Sequence, residues 1–226
     1  MSVTVKICGL ATPEALDAAL DAGADMVGFV FFPPSPRHLT FAAARALGAR
    51  VRERAEKVAL TVDADDALLD GIVEALQPDV LQLHGRETPR RVASLKKRFG
   101  VPVMKAIAVA AAEDLAAVEA YAGVADRLLF DARAPREATR PGGLGNAFDW
   151  RLLQDIRPGV PFMLSGGLDA ANVAEALRIT HAPGVDVSSG VERAPGDKDP
   201  EKIRAFVRAA REAAVRLDAG PVRSIA

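Results

Sequence analysis

Cysteine is almost absent from this chain. One thiol in 226 residues, Cys8, excludes an intrachain disulfide and any structural zinc site built on several cysteines. It fits a reducing, cytoplasmic setting. An excess of either charge is lacking too. The 29 Lys and Arg against 30 Asp and Glu leave a formal net charge of −1, which gives no argument for a nucleic-acid partner or a membrane surface. No apolar run approaches the ~20 residues that span a bilayer. No basic region followed by a long apolar stretch opens the chain, so no signal peptide is expected. No Pro/Ser/Gly-rich linker divides the chain. Residues 1–218 therefore read as one domain, and 219–226, which lack periodicity, as a flexible C-terminal tail.

What is present is an ordinary balance, 50% apolar and 26% charged, with ample material for a core. Apolar runs of strand length alternate with longer amphipathic stretches from end to end. The expected strands are Val3–Ile7, Met26–Phe31, Lys57–Val62, Val80–Leu83, Pro102–Ile107, Arg127–Phe130, Pro161–Leu164 and Val185–Val187. Helices are expected near 13–22, 41–54, 65–76, 89–98, 112–121, 148–156, 170–179 and 200–217. Thr12-Pro13, Thr88-Pro89 and Asp199-Pro200 each place an N-cap residue before a helix-opening proline. Strand–helix alternation of this count and length predicts an α/β fold, a single (β/α)8 barrel. A doubly wound open sheet is the alternative, but it would better explain fewer strands or a break in composition, and neither is seen.

In such a barrel the active site lies at the C-terminal ends of the strands. Read in order, those ends carry Cys8, the turn from Phe32 to Arg37, Asp63, His84, Asp131, Ser165-Gly166-Gly167 and Ser188-Ser189-Gly190. A free cysteine is usually a small buried hydrophobe, but here it keeps reactive company. The loops after the last two strands of many barrels bind phosphate through backbone N–H groups, and Ser165, Gly166, Gly167, Ser188, Ser189 and Gly190 occupy both places. Asp131 is either a helix cap or surface turn, or a general acid facing the Cys8 thiol across the barrel. Arg37 is either a solvated loop cation or a planar fork for a carboxylate. His84 is expected to line the pocket and His181 to lie on the surface. No histidine has a metal-ligand partner at short spacing, so no metal is expected.

The one long connection, 132–147, is rich in Arg, Pro and Gly and reads as a lid. Strand period adds one more expectation. If Cys8 points into the barrel mouth, Lys6 points inward as well, and Asp186 does so in the last strand. The first and eighth strands of a closed barrel are neighbours, so an inward Lys6–Asp186 pair is expected one layer below Cys8, where the ammonium also favours the thiolate.

Along nearly its whole length the chain resembles the phosphoribosylanthranilate isomerases of tryptophan biosynthesis. The resemblance rests on Lys6-Ile7-Cys8-Gly9, Gly28-Phe29-Val30-Phe31 with Ser35-Pro36-Arg37, and Leu81-Gln82-Leu83-His84-Gly85. It continues through Asp131 with Gly142-Gly143-Leu144-Gly145 and Phe148-Asp149-Trp150, then Leu164-Ser165-Gly166-Gly167-Leu168, and finally Gly184 to Glu192. Similar family loops often read Gly-Gly-Thr-Gly; Leu144 replaces the hydroxyl, leaving backbone contacts from Gly142, Gly143 and Gly145. The resemblance implies an Amadori rearrangement of N-(5-phosphoribosyl)anthranilate to 1-(2-carboxyphenylamino)-1-deoxyribulose 5-phosphate. It implies Asp131 as general acid, Cys8 as thiolate base, and Arg37 on the anthranilate carboxylate. His84 and Asp186 are then substrate-binding residues, and the glycine-rich loops hold the phosphate. No metal or organic cofactor is implied. A modest downward shift of the thiol would poise it near neutral pH.

The nearest rival is the histidine-pathway isomerase of a related aminosugar, which resembles this chain in fold but uses two aspartates, Cys8 standing where its first would be. A catalytically idle barrel that only binds sugar phosphates is a reading from another class. The joint presence of Cys8, Asp131 and Arg37 argues against it. Monomeric and dimeric barrels share one core pattern, and monomer is favoured over homodimer.

Overall fold

The computed structural model describes residues 3–135 and 137–219. Eight parallel strands close into a barrel in sequence order. They are β1 (Thr4–Cys8), β2 (Met26–Phe31), β3 (Glu56–Thr61), β4 (Val80–Leu83), β5 (Val103–Val109), β6 (Arg127–Ala132), β7 (Phe162–Leu164) and β8 (Gly184–Val187). Around them lie α1 (Pro13–Asp21), α2 (Phe41–Val51), α3 (Asp66–Leu76), α4 (Pro89–Phe99), α5 (Val118–Ala122), α6 (Val173–Thr180) and α7 (Pro200–Ala219). A short antiparallel hairpin, β9 (Glu192–Ala194) with β10 (Asp197–Lys198), follows β8. The chain is a (β/α)8 barrel. No helix among the described residues is long and apolar enough to cross a membrane.

Period-2 alternation divides the core in two. Outward residues such as Val5, Ile7, Val27, Phe29, Leu128 and Phe130 are buried against the helices. Inward Met26, Val58, Val80, Met104, Leu129 and Met163 plug the barrel floor. Burying each side chain of this size contributes roughly 1.5–3 kcal/mol. The floor closes the bottom of the barrel and leaves chemistry to the top. Helix starts follow the N-cap pattern: the Thr12 and Thr88 hydroxyls accept from Ala15 N and Arg91 N, with Pro13 and Pro89 opening α1 and α4. Asp199 accepts from Glu201 N ahead of α7 in the same way.

Four elements differ from the sequence expectation. The stretch 148–156 makes only a 3-10 turn, Trp150–Leu153, in which Leu153 alone is buried. Pro158 and the positive φ of Gly159 then turn the chain toward β7. Near 112–121 the first six residues form a 3-10 segment with no buried side chain, so no apolar face draws them into an α-helix, and Asp114 bonds the backbone of Ala110 and Ala111 instead. β6 runs on to Ala132, which puts Asp131 on the strand, paired with Ala108, rather than after it. The β9–β10 hairpin was not anticipated. The tail expected over 219–226 lies outside the described residues, apart from the backbone of Ala219, which closes α7.

Candidate active site

Cys8 ends β1 and is 4% exposed. Its partner across the β1–β2 ladder is Gly28, where an added Cβ would lie 3.0 Å from Sγ and 3.2 Å from Lys6 Nζ. Glycine there makes the room that both reactive groups occupy. One layer down, Lys6 Nζ donates to Asp186 Oδ1 at 2.7 Å, and both residues are buried. The β1–β8 register pairs them, as strand alternation requires. Ser165 Oγ donates to the other Asp186 oxygen at 3.2 Å. Burial works against the Lys6 ammonium, but Asp186 and Cys8 outweigh it and hold the pKa above the usual 10.5. For Cys8 the balance runs the other way. Burial pushes the thiol up, and the opposing pull of Lys6 does not reverse it, so the expected downward shift is not what this pocket produces.

Asp131 comes from β6 and is 5% exposed. Its Oδ1 accepts from Ala132 N at 2.9 Å, and Oδ2 lies 3.2 Å from His84 Nε2. His84 Nδ1 in turn lies 3.2 Å from Gln82 Nε2. An amide donating to Nδ1 leaves the proton on Nε2, so the imidazole donates to Asp131; that tautomer follows from the network. Gln82 is fully buried, and sequence reasoning missed it; its even-numbered place between inward Val80 and His84 was the available signal. The loop bearing His84 is tied from behind. Lys105 Nζ donates to Leu83 O, Gly85 O and Glu87, and Glu87 accepts from Asp63 N and Gly85 N. Asp63 serves the same tie through Arg86 N and does not line the cleft. His181 caps α6 and is exposed.

Arg37 is buried rather than solvated. Its Nε and Nη2 each donate to a Glu192 oxygen at 2.7 Å, and Nη2 also reaches Gly143 O at 3.1 Å. Burial works to raise Glu192, but Arg37 and Lys198 hold its carboxyl below the usual value. Glu192 thus aims the guanidinium and leaves Nη1 without a carboxylate of its own. The described part of the connection between β6 and the 3-10 turn, 137–149, crosses the mouth at close quarters. An added Cβ at Gly142 would lie 2.4 Å from Asp131 Oδ2, and one at Gly143, where φ is +69°, would lie 2.6 Å from Arg37 Nη1. Glycine is needed wherever this loop passes over a polar group.

Together these elements enclose a cleft of about 770 Å³, open space at the mouth included. Cys8, Arg37, His84, Asp131, Asp186, Gly142, Gly143 and Gly145 line it, with Ser165, Gly166, Gly167, Ser188 and Ser189. Its apolar wall is Val30, Phe32, Leu60, Val62 and Leu144. Gly190 does not line it; that residue lets the loop after β8 lie against Leu168 O, 1.9 Å from where a Cβ would be. Gly166 and Gly167 have φ of +87° and +66°, which glycine alone adopts readily, and they let the loop after β7 lie against Ala132 and Ala147. Ser188 Oγ is turned away, donating to Cys8 O at 3.1 Å.

A thiol and a carboxylate opening into one cleft at the C-terminal end of a (β/α)8 barrel, beside two glycine loops, have the placement of a barrel enzyme's active site. The family described as N-(5'phosphoribosyl)anthranilate (PRA) isomerase matches residues 5–209, and the chain belongs to that family. The N-(5'-phosphoribosyl)anthranilate isomerase of Bradyrhizobium diazoefficiens is 68% identical over 211 residues, 93% of this chain and 95% of that one. Among solved structures, the phosphoribosyl anthranilate isomerase of Thermotoga maritima superposes with a TM-score of 0.84 at 33% identity, covering 93% of this chain and 99% of that one. A phosphoribosyl anthranilate isomerase solved in complex with reduced 1-(o-carboxyphenylamino)-1-deoxyribulose 5-phosphate has a TM-score of 0.81 at 31% identity, over 93% of this chain and 99% of that one.

Proposed function

We propose that the chain converts N-(5-phosphoribosyl)anthranilate to 1-(2-carboxyphenylamino)-1-deoxyribulose 5-phosphate in tryptophan biosynthesis, with Asp131 as acid and Cys8 as base. The observation that carries this reading is the placement of both groups, from β1 and β6, on one cleft lined by the Gly166–Gly167 and Ser188–Ser189 backbone. In its protonated form Asp131 gives its proton to the furanose ring oxygen as the C1–O bond breaks, and the nitrogen lone pair forms the C1=N bond of a Schiff base. The positive nitrogen acidifies the proton on C2. Cys8 thiolate takes that proton, the released pair forms the C1=C2 bond, and the C1=N π pair returns to the nitrogen to give the neutral enolamine. Tautomerisation protonates C1 and leaves the ketone at C2. The Arg37 Nη1 group takes the anthranilate carboxylate, the apolar wall takes its ring, and the backbone of the final two loops takes the phosphate. Anchoring both ends fixes the sugar between acid and base.

A functional monomer is part of this reading. A cytoplasmic location is part of the reading, since a reducing compartment keeps the lone thiol free to act. The test is a fluorescence assay on freshly formed phosphoribosylanthranilate with a metal chelator present. Steady loss of the substrate signal is expected. Tight binding of the sugar phosphate without turnover would identify an idle barrel instead.

The 132–147 connection is proposed as a lid that shields the Schiff base from water. Its glycines lie directly on Asp131 and Arg37, so closure and assembly of the site are one event. Amide hydrogen exchange in this segment should slow when the reduced product analogue binds. Unchanged exchange at saturating ligand would rule the lid out.

A further inference from the structure

Lys198 is a buried cation that this chemistry leaves unused. It sits on β10, its side chain is 1% exposed, and its three donors are all engaged. Nζ donates to Glu192 Oε1 at 2.8 Å, to Ser188 O at 2.8 Å and to Ser188 Oγ at 3.2 Å. Glu192 is the carboxylate that aims Arg37, and Ser188 opens the loop assigned to phosphate. One ammonium therefore bonds directly to the supports of both substrate-binding ends.

Resting on the function proposed above, we infer that Lys198 is a positioning residue that locks the carboxylate clamp of Arg37 to the phosphate loop at Ser188. The two ends of the substrate are then gripped as one unit. The hairpin's purpose follows, since β9 and β10 bring Glu192 and Lys198 opposite each other in register. The charges around Nζ also suit an anion. Glu192 is shared between two cations, Arg37 and Lys198, so the cluster carries one net positive charge below the cleft, and Cys8 faces it from β1. On the outer side, Lys202 of α7 donates to the Glu192 carbonyl, and Arg193 pairs with Asp199.

Burial lowers Lys198 to about 8, against the opposing pull of Glu192. A bound dianion favours the charged ammonium, so binding draws in a proton wherever the free chain has lost it. Of the titratable groups facing Lys198, burial pushes the Cys8 thiol up, and Arg37 and Lys198 hold the Glu192 carboxyl down, so both move away from that interval. A sugar phosphate is already dianionic above its second pKa of about 6.

Calorimetry with the reduced product analogue, between about pH 7 and pH 9 in buffers of different ionisation heat, tests the inference. Wild-type affinity should fall as pH rises through about 8, with proton uptake near that value. In Lys198→Arg the affinity should stay within a few-fold and the pH dependence should vanish. In Lys198→Met, confirmed folded by circular dichroism, affinity at neutral pH should drop at least ~10-fold, the scale of hydrogen bonds to a charged group. A folded Lys198→Met that binds like wild type overturns the inference, as does Lys198→Arg keeping the wild-type pH dependence. Absence of analogue binding in the wild-type chain overturns the proposed function itself, and this inference with it.

Discussion

Cys8→Ala and Asp131→Asn are each expected to lower turnover at least ~10²-fold, the scale of one lost proton-transfer group, while the barrel stays folded. Stability should hardly change, for different reasons at the two places. Cys8→Ala removes one sulfur from a site that Gly28 keeps roomy, and Asn in place of Asp131 retains an oxygen for Ala132 N. The pH dependence separates the roles. Burial pushes the Cys8 thiol up, so thiolate is scarce at neutral pH and forms as pH rises. The ratio kcat/KM for the wild-type chain should therefore climb on the alkaline side before the Lys198 cluster begins to oppose it. Residual activity of Cys8→Ala should show no such climb. Near-normal turnover in either folded variant, measured by the fluorescence assay, would remove that residue from the mechanism.

Much of this site was readable from residue order, because a barrel converts strand ends into a ring. Cys8, Arg37, His84, Asp131 and both glycine loops could be placed from the apolar runs before them. The Lys6–Asp186 pair could be derived from period-2 alternation and barrel closure alone. Other parts depend on information no local pattern carries. Gln82 is an uncharged amide in an apolar run, and only the finished hydrogen-bond chain to His84 and Asp131 gives it a role. β9 and β10 have three and two residues, too few for alternation to register, so Glu192 and Lys198 stayed hidden as partners of Arg37 and Ser188. The direction of the Cys8 shift is not legible in the sequence, because the lysine is a sequence feature while desolvation belongs to the folded pocket. The 148–156 stretch looked helical because its apolar spacing says nothing of how few residues it would bury.

Lys6→Met is expected to cost about 3–5 kcal/mol of folding stability, the usual penalty for stranding one member of a buried ion pair. Asp186 is 4% exposed, and without Lys6 its only remaining side-chain hydrogen bond among the described residues is from Ser165 Oγ. A methionine fills the space of the lysine stem, so the loss reports the charge rather than a cavity. The sign of the linkage fixes the conditions. Lys6 has a folded pKa above 10.5, so its contribution is fully present below that value and fades only as pH rises through the higher one. The destabilisation should therefore be constant between about pH 6 and pH 9 in urea unfolding. Lys6→Met combined with Asp186→Leu should regain most of the stability, because two apolar groups of similar volume replace the pair. Activity should stay low in the double variant, since the pull of Lys6 on the thiol exceeds the opposing push of Asp186, and losing both leaves the thiolate forming at still higher pH. A double variant as unstable as Lys6→Met alone would mean that the lysine acts through packing of the barrel centre and not through Asp186.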